Sequence, residues 1–202
     1  DGDFYVQDLS SMLVAEMAAP KKGDYVIDVC AAPGGKSSHI AELMDGTGMV
    51  EARDLTEYKT NLIEENIRRH GLSNMKAVCM DATVFDRDSV GKADILVCDL
   101  PCSGLGVMGK KTDIRYKMTE EKEKELVQLQ RQILKTVIPY VKENGTVIYS
   151  TCTIDRAENE ENAAWIEREF PELSLVAMKQ MFPGEAGNDG FFISKFVRRK
   201  HE

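Results

Sequence analysis

Tyr25-Val-Ile-Asp-Val-Cys-Ala-Ala-Pro-Gly-Gly-Lys36 decides the fold: an apolar run ends in two adjacent glycines and opens into a segment with helical spacing. Val26, Ile27 and Val29 are β-branched and nearly continuous, the pattern of a strand buried on both faces of a parallel sheet. Gly34 and Gly35 let the backbone pass close to a ligand, and Ser37-Ser38 followed by Ile40, Leu43 and Met44 begins an amphipathic helix. Strand, tight turn and helix in this order form a nucleotide-type site. No G-x-G-x-x-G is present, and a P-loop is missed by one residue, because Cys30 stands where its first glycine belongs.

Before this stretch, Leu9, Met12, Leu13, Ala15 and Met17 read as a short helix capping one edge of the sheet, within an N-terminal edge segment over residues 1–24. After it, Asp45-Gly-Thr-Gly48 leads into a second strand, Met49 to Arg53, that ends at Asp54. Thr56 caps a helix carrying Leu62, Ile63 and Ile67, and Gly71 closes it. Met75 to Met80 and Ala93 to Cys98 are further strands, followed by Asp81 and by Asp99-Leu-Pro-Cys-Ser-Gly104. A long helix with Leu126, Leu129, Ile133 and Val137 on one face starts from Thr119. Asn144-Gly145 is the turn into a fifth strand, Thr146 to Ser150, which delivers Thr151-Cys152. Asp155 and Glu158 have the spacing of an acidic capping box for a helix running to Phe170. Leu173 to Ala177 and Phe191 to Val197 are closing strands. The alternation predicts a doubly wound α/β fold with a seven-stranded, mostly parallel sheet.

The 202 residues, 43% of them apolar, suit a single domain with a sizeable core. A net charge of -8 argues against wrapping nucleic acid by bulk charge, which leaves two local basic patches as candidate contacts. One is Lys110, Lys111, Arg115 and Lys117; the other is Lys195, Arg198, Arg199 and Lys200. Five cysteines without a C-x-x-C pair disfavour a disulfide framework and a zinc site, so a reducing cytoplasm and no metal are expected. No apolar run reaches the roughly 18 residues of a membrane span. A monomer is expected. The chain opens with Asp1 rather than methionine and reads as a piece of something longer.

Asp54, Asp81 and Asp99 all follow strands, on the side of the sheet where ligands of such folds bind. Asp54 lies 24 residues beyond Cys30, the distance at which an acid meets a ribose hydroxyl pair. Acids in this position suit a ligand with hydroxyls and a positive charge better than a triphosphate, and so point towards S-adenosylmethionine. Cys102 and Cys152 both sit just past strands on that side. A pyrimidine C5 is too electron-poor to attack a methyl group until a thiolate adds at C6, which requires a cysteine nucleophile, a group at N3 and a base for the C5 proton. A free thiol titrates near ~8.5, and the expected helix N-terminus beyond Cys152 would lower that value.

Cys30-Ala-Ala-Pro-Gly-Gly-Lys36, Asp99-Leu-Pro-Cys-Ser-Gly104, and Ser150-Thr-Cys152 with Glu158-Asn-Glu160 resemble the motifs of the Sun (Fmu) family of RNA 5-methylcytosine methyltransferases. Gln7-Asp8-Leu-Ser-Ser11 and Asp189-Gly-Phe-Phe192 are similar too. The resemblance implies a Rossmann-like class I S-adenosylmethionine-dependent methyltransferase acting on RNA, with small-subunit ribosomal RNA as substrate. It assigns Cys152 as the nucleophile at C6, Cys102 to product release and Asp99 to the N3 edge of the base. It places Cys30, Ala31, Ala32, Pro33, Gly34, Gly35, Lys36, Asp54, Asp81 and Asp99 around the cofactor. RNA contacts at Lys110, Lys111 and Arg115 are expected, although Gly109-Lys-Lys-Thr112 departs from the more basic, proline-ended stretch usual there. It also implies a single catalytic domain over residues 1–202, with an N-terminal RNA-binding domain missing. The alternatives are an NTP hydrolase using Ile95-Leu-Val-Cys-Asp99 as a Walker-B-like strand, a non-catalytic RNA-binding module, and a transfer RNA rather than ribosomal RNA target.

Overall fold

The computed structural model describes residues 6–184 and 187–200, apart from the side chains of Arg115 and Lys117. Seven strands, β1 (Tyr25–Asp28), β2 (Met49–Asp54), β3 (Met75–Cys79), β4 (Ala93–Asp99), β5 (Val141–Thr151), β6 (Leu173–Met181) and β7 (Phe191–Arg198), form one sheet. Its order is β3-β2-β1-β4-β5-β7-β6. The first five strands pair in parallel, and β7 runs antiparallel to both β5 and β6. The helices are α1 (Leu9–Ala18), α2 (Gly35–Leu43), α3 (Glu57–His70), α4 (Ile114–Lys117), α5 (Glu120–Val137) and α6 (Glu160–Glu169).

Successive residues of a strand face opposite sides, so the near-continuous apolar runs feed two cores. Val26, Ile95, Val97 and Ile148 pack with Val14, Ile40 and Ile63 on one face. Ile27, Leu96 and Tyr149 pack with Ile133, Leu134 and Ile166 on the other. Each fully buried aliphatic side chain contributes about 1.5–3 kcal/mol, which fixes the register of the central strands. The helix ends follow the predicted signals: Thr56 Oγ1 accepts from the Lys59 N–H at 3.3 Å, Thr119 Oγ1 from that of Lys122 at 3.4 Å, and Gly71 closes α3 at φ 63°.

Three expectations are corrected. The first helix does not cap a sheet edge: Val14, Ala15 and Ala18 of α1 are buried against Ile148 and Ile193, across the face of two inner strands. Asn144-Gly145 lies within β5 rather than ahead of it, as an irregularity that shifts the β4–β5 register between Ala93 and Ile95. Asn144 sits at φ 62°, and a Cβ on Gly145 would lie 2.6 Å from Val141 Cγ2, so the sequence NG marks a bulge there. Finally, α6 begins at Glu160, and Glu158 turns into the interior instead of capping it.

The strand order reverses at β1, which has β2 on one side and β4 on the other. Loops leaving the carboxyl ends of β1 and β4 therefore diverge and open a crevice. The loop after β5 borders the same crevice.

Candidate active site

The turn after β1 is held from two sides. Gly34 adopts φ 105°, a conformation that favours glycine, and α2 starts at the next residue. Asp54 at the end of β2 is buried and accepts from the Ala32 N–H at 3.0 Å, the Leu55 N–H at 2.8 Å and Lys59 Nζ at 2.9 Å. On the other side, Asp28 accepts from Ser37 Oγ at 2.5 Å. Burial pushes the Asp28 carboxyl up to about 7, with Asp99 adding to the rise and Ser37 and Lys36 opposing it.

This loop forms one wall of a cleft lined by Cys30 to Pro33, Gly35, Lys36, Asp28 and Asp99, with Gln7, Asp8 and Ser11 opposite. Lys36 Nζ lies 2.6 Å from Asp99 Oδ2, and the other oxygen of Asp99 accepts from Ser150 Oγ at 2.7 Å. Burial works against the Lys36 charge, but the Asp99 carboxylate outweighs it and holds the lysine above its ordinary value. The P-loop reading fails here. Its lysine is already neutralised by a carboxylate, and a triphosphate would meet two aspartates in the same cleft. The donor set instead fits a ligand with hydroxyls and a cationic centre. The buried Gln7 Nε2, without a hydrogen-bond partner among the described residues, is a further donor available to a ligand.

Cys102 and Cys152 meet beside this cleft with their sulfurs 3.2 Å apart, and the Cys152 N–H points at Cys102 Sγ at 3.3 Å. The pair divides unequally. The hydrogen bond with Cys102 holds the Cys152 thiol below its ordinary value, opposed by burial and by the Asp99 charge and helped by Lys36 and Lys111. The same contact, together with burial and the charge of Glu158, pushes Cys102 well up. The two shifts run in opposite directions, and Cys152 is the more acidic thiol of the pair. The expected helix N-terminus plays no part, because α6 starts eight residues later, at Glu160. Burial pushes the thiols of Cys30 and Cys98 up, which leaves them inert.

The structure brings together Cys30 to Pro33, Gly35, Lys36, Asp99, Cys102 and Cys152. Asp54 reaches the cleft only through its grip on Ala32. Asp81 does not line it: this carboxylate accepts from the Thr83 N–H and hydroxyl at 2.8 and 2.7 Å, which hold its pKa down. Lys110 bridges Asp8 and Asp189 at 3.0 and 2.8 Å, tying the segment before α1 to the β6–β7 loop. Lys111 is exposed, and the Arg115 side chain lies outside the described residues. In the second basic patch, Lys195 Nζ donates to Met17 O and Arg198 to Val141 O, so both serve the fold. Sequence reasoning missed Asp28, whose signal is an acid inside an apolar strand, and the inward role of Glu158. Among the described residues no group of three or more His, Cys, Asp or Glu side chains is arranged to hold a metal ion.

The family model for 16S rRNA methyltransferase RsmB/F matches residues 15–197. A Bacillus subtilis protein named "Probable ribosomal RNA small subunit methyltransferase B" is 40% identical, over 99% of this chain and 48% of its own length. A tRNA (cytosine(72)-C(5))-methyltransferase of Pyrococcus horikoshii is 34% identical, over 98% of this chain and 53% of its own length. The crystal structure of NSun6 from Pyrococcus horikoshii with SFG superposes with a TM-score of 0.89 at 33% identity, over 99% of this chain and 54% of that one. The chain spans about half the length of the curated relatives it matches. With its sheet, its cleft and its two facing thiols, this chain belongs to the RsmB/F family of 16S rRNA methyltransferases.

Proposed function

We propose that this chain is a catalytic domain that transfers a methyl group from S-adenosylmethionine to C5 of a cytidine in RNA, with small-subunit ribosomal RNA as the substrate. One observation carries the reading: two cysteine sulfurs 3.2 Å apart, beside a lysine–aspartate pair, at the switch point of the sheet. A simple cofactor-binding fold needs neither sulfur. The match to a ribosomal RNA family and the 40% identical relative support the ribosomal substrate. A solved relative bound to SFG, an S-adenosylmethionine analogue, supports the cofactor.

Cys30 to Lys36, Asp28 and Gln7 would hold the cofactor, with Asp54 behind Ala32 on the ribose side. When bound, S-adenosylmethionine supplies an electrophilic methyl group. Cys152 attacks C6 of the cytosine, forming a C–S bond and moving the C5–C6 electron pair towards N3, where Asp99 meets the base edge. C5 thereby becomes an enamine carbon able to accept the methyl group. Transfer of the C5 proton to a water molecule then restores the C5–C6 double bond and expels the Cys152 thiolate, which the Cys102 S–H stabilises by donating to it. The target base must leave its stack to reach the thiols.

The test is to incubate the protein with S-adenosylmethionine and either unmodified small-subunit RNA or transfer RNA, then quantify 5-methylcytidine in the digest. The expected result is 5-methylcytidine in the small-subunit RNA and none after Cys152→Ala. Methylation confined to transfer RNA would overturn the substrate, and methylation at another atom would overturn the chemistry.

A further inference from the structure

Between β5 and α6, two adjacent side chains hold the two cysteine loops, one loop each. Glu158 is fully buried. Its carboxylate accepts from the Ser103 N–H at 3.0 Å and from Gln130 Nε2 at 2.7 Å, and Gln130 Nε2 also donates to Pro101 O at 2.9 Å. Both neighbours of Cys102 are thereby anchored. Asn159, equally buried, does the same around Cys152: Oδ1 accepts from Thr151 Oγ1 at 2.5 Å, and Nδ2 donates to Thr153 O at 3.0 Å. The hydroxyls of Ser103 and Thr153, 2.7 Å apart, then join one loop to the other.

A buried carboxylate is costly to desolvate, so a mere space-filler would have no use for its charge. Here the charge satisfies the one N–H that fixes the peptide after Cys102. Burial raises the Glu158 carboxyl itself, and its ionised form adds to the rise of the Cys102 thiol, behind the Cys152 contact and burial. Neither Glu158 nor Asn159 touches a reacting atom in the mechanism above.

We propose that Glu158 and Asn159 are positioning residues with divided work: Glu158, through Ser103 and Gln130, sets Cys102 for product release, and Asn159, through Thr151 and Thr153, sets Cys152 for attack. The assignment rests on the cytosine-C5 reading. It predicts opposite kinetic defects from two neighbouring residues, which a loss of general stability would not produce.

The experiment follows the covalent RNA–protein adduct in time, with S-adenosylmethionine and the RNA substrate, for wild type, Glu158→Gln, Gln130→Ala, Asn159→Ala and Cys102→Ala. Thermal melts check that each variant is folded. Displacing a reacting group by about 1 Å costs on the order of 100-fold, so a partly relaxed loop is expected to cost roughly 10-fold. Glu158→Gln and Gln130→Ala form adduct at the wild-type rate but accumulate it roughly 10-fold above wild type, as milder forms of Cys102→Ala. Asn159→Ala forms adduct roughly 10-fold more slowly and accumulates none. The two Cys102-side variants guard against one failing to fold. Slowed adduct formation in both of them, or wild-type adduct levels in both, would overturn the division. No accumulation even in Cys102→Ala would overturn the cytosine-C5 reading itself.

Discussion

The loops that follow β4 and β5 look alike. Each carries a cysteine among hydroxyl residues, just past a central strand, and each brings its sulfur to the same point, 3.2 Å from the other. Their surroundings differ. Lys36 and Lys111 lower the pKa of Cys152, while the buried Glu158 raises that of Cys102. Strand topology decides where a thiol stands, while the contact between the two sulfurs, burial and charges brought from other parts of the chain set how each titrates. Lys36 comes from the first turn of α2 and Glu158 from the turn after β5. Neither belongs to the motif of the cysteine it governs.

The largest effect should come from removing one sulfur at a time. Cys152→Ala should lower formation of 5-methylcytidine by about 10⁴-fold or more, the scale of losing a covalent nucleophile. Cys102→Ala should keep its first methyl transfer and lose repeated turnover, as single- and multiple-turnover assays would separate. Equal loss in both would break the comparison.

Lys36→Met sharpens it. Without that cation Cys152 loses part of its thiolate stabilisation, so its pKa rises and the acid limb of the rate profile moves to higher pH. The rate at neutral pH should fall by on the order of 100-fold, because Asp99 is left unpaired in the cleft as well. Lys36→Arg should restore part of both. An unmoved acid limb in Lys36→Met would mean that Cys152 is activated by Cys102 alone.

The turn after β1 makes a smaller, thermodynamic prediction. Asp28 is raised to about 7 in the folded protein from 3.8, so between those values the unfolded chain releases a proton that the folded chain keeps. Its contribution therefore falls as pH rises from 4 to 7 and is flat outside that window, by at most roughly 4 kcal/mol. Asp28→Asn should remove this fall, as urea melts at pH 4.5 and 7 would detect. An unchanged difference between the two would show that Asp28 is ionised throughout. The smallest effect is a control: Thr119→Ala, at the start of α5, should cost about 1 kcal/mol, or roughly 2–4 °C, and leave the adduct partition untouched.

Much of this was legible in the chain because it is local. The β-branched runs gave the strands, and Thr56, Gly71 and Thr119 marked the helix ends where they occur. Cys30 to Lys36, Asp99, Cys102 and Cys152 could be singled out because each follows a strand that must end on one side of the sheet. What escaped depends on distant partners. Lys110 looks like a free cation until Asp8 and Asp189 close on it from opposite ends of the chain. Glu158 has the spacing of a cap, but a satisfied amide at Ser103, 55 residues away, draws it inward. Asn144-Gly145 has the composition of a turn, which a bulge shares, and the pairing of Ala93 with Val141 decides between them.

Covalent trapping reads the division of labour between the two sulfurs. Cys102→Ala, Cys152→Ala and the double variant would each be incubated with S-adenosylmethionine and unmodified small-subunit RNA and run on a denaturing gel. A retarded RNA–protein band is expected for Cys102→Ala alone. A band for Cys152→Ala alone would reverse the two roles and contradict that division.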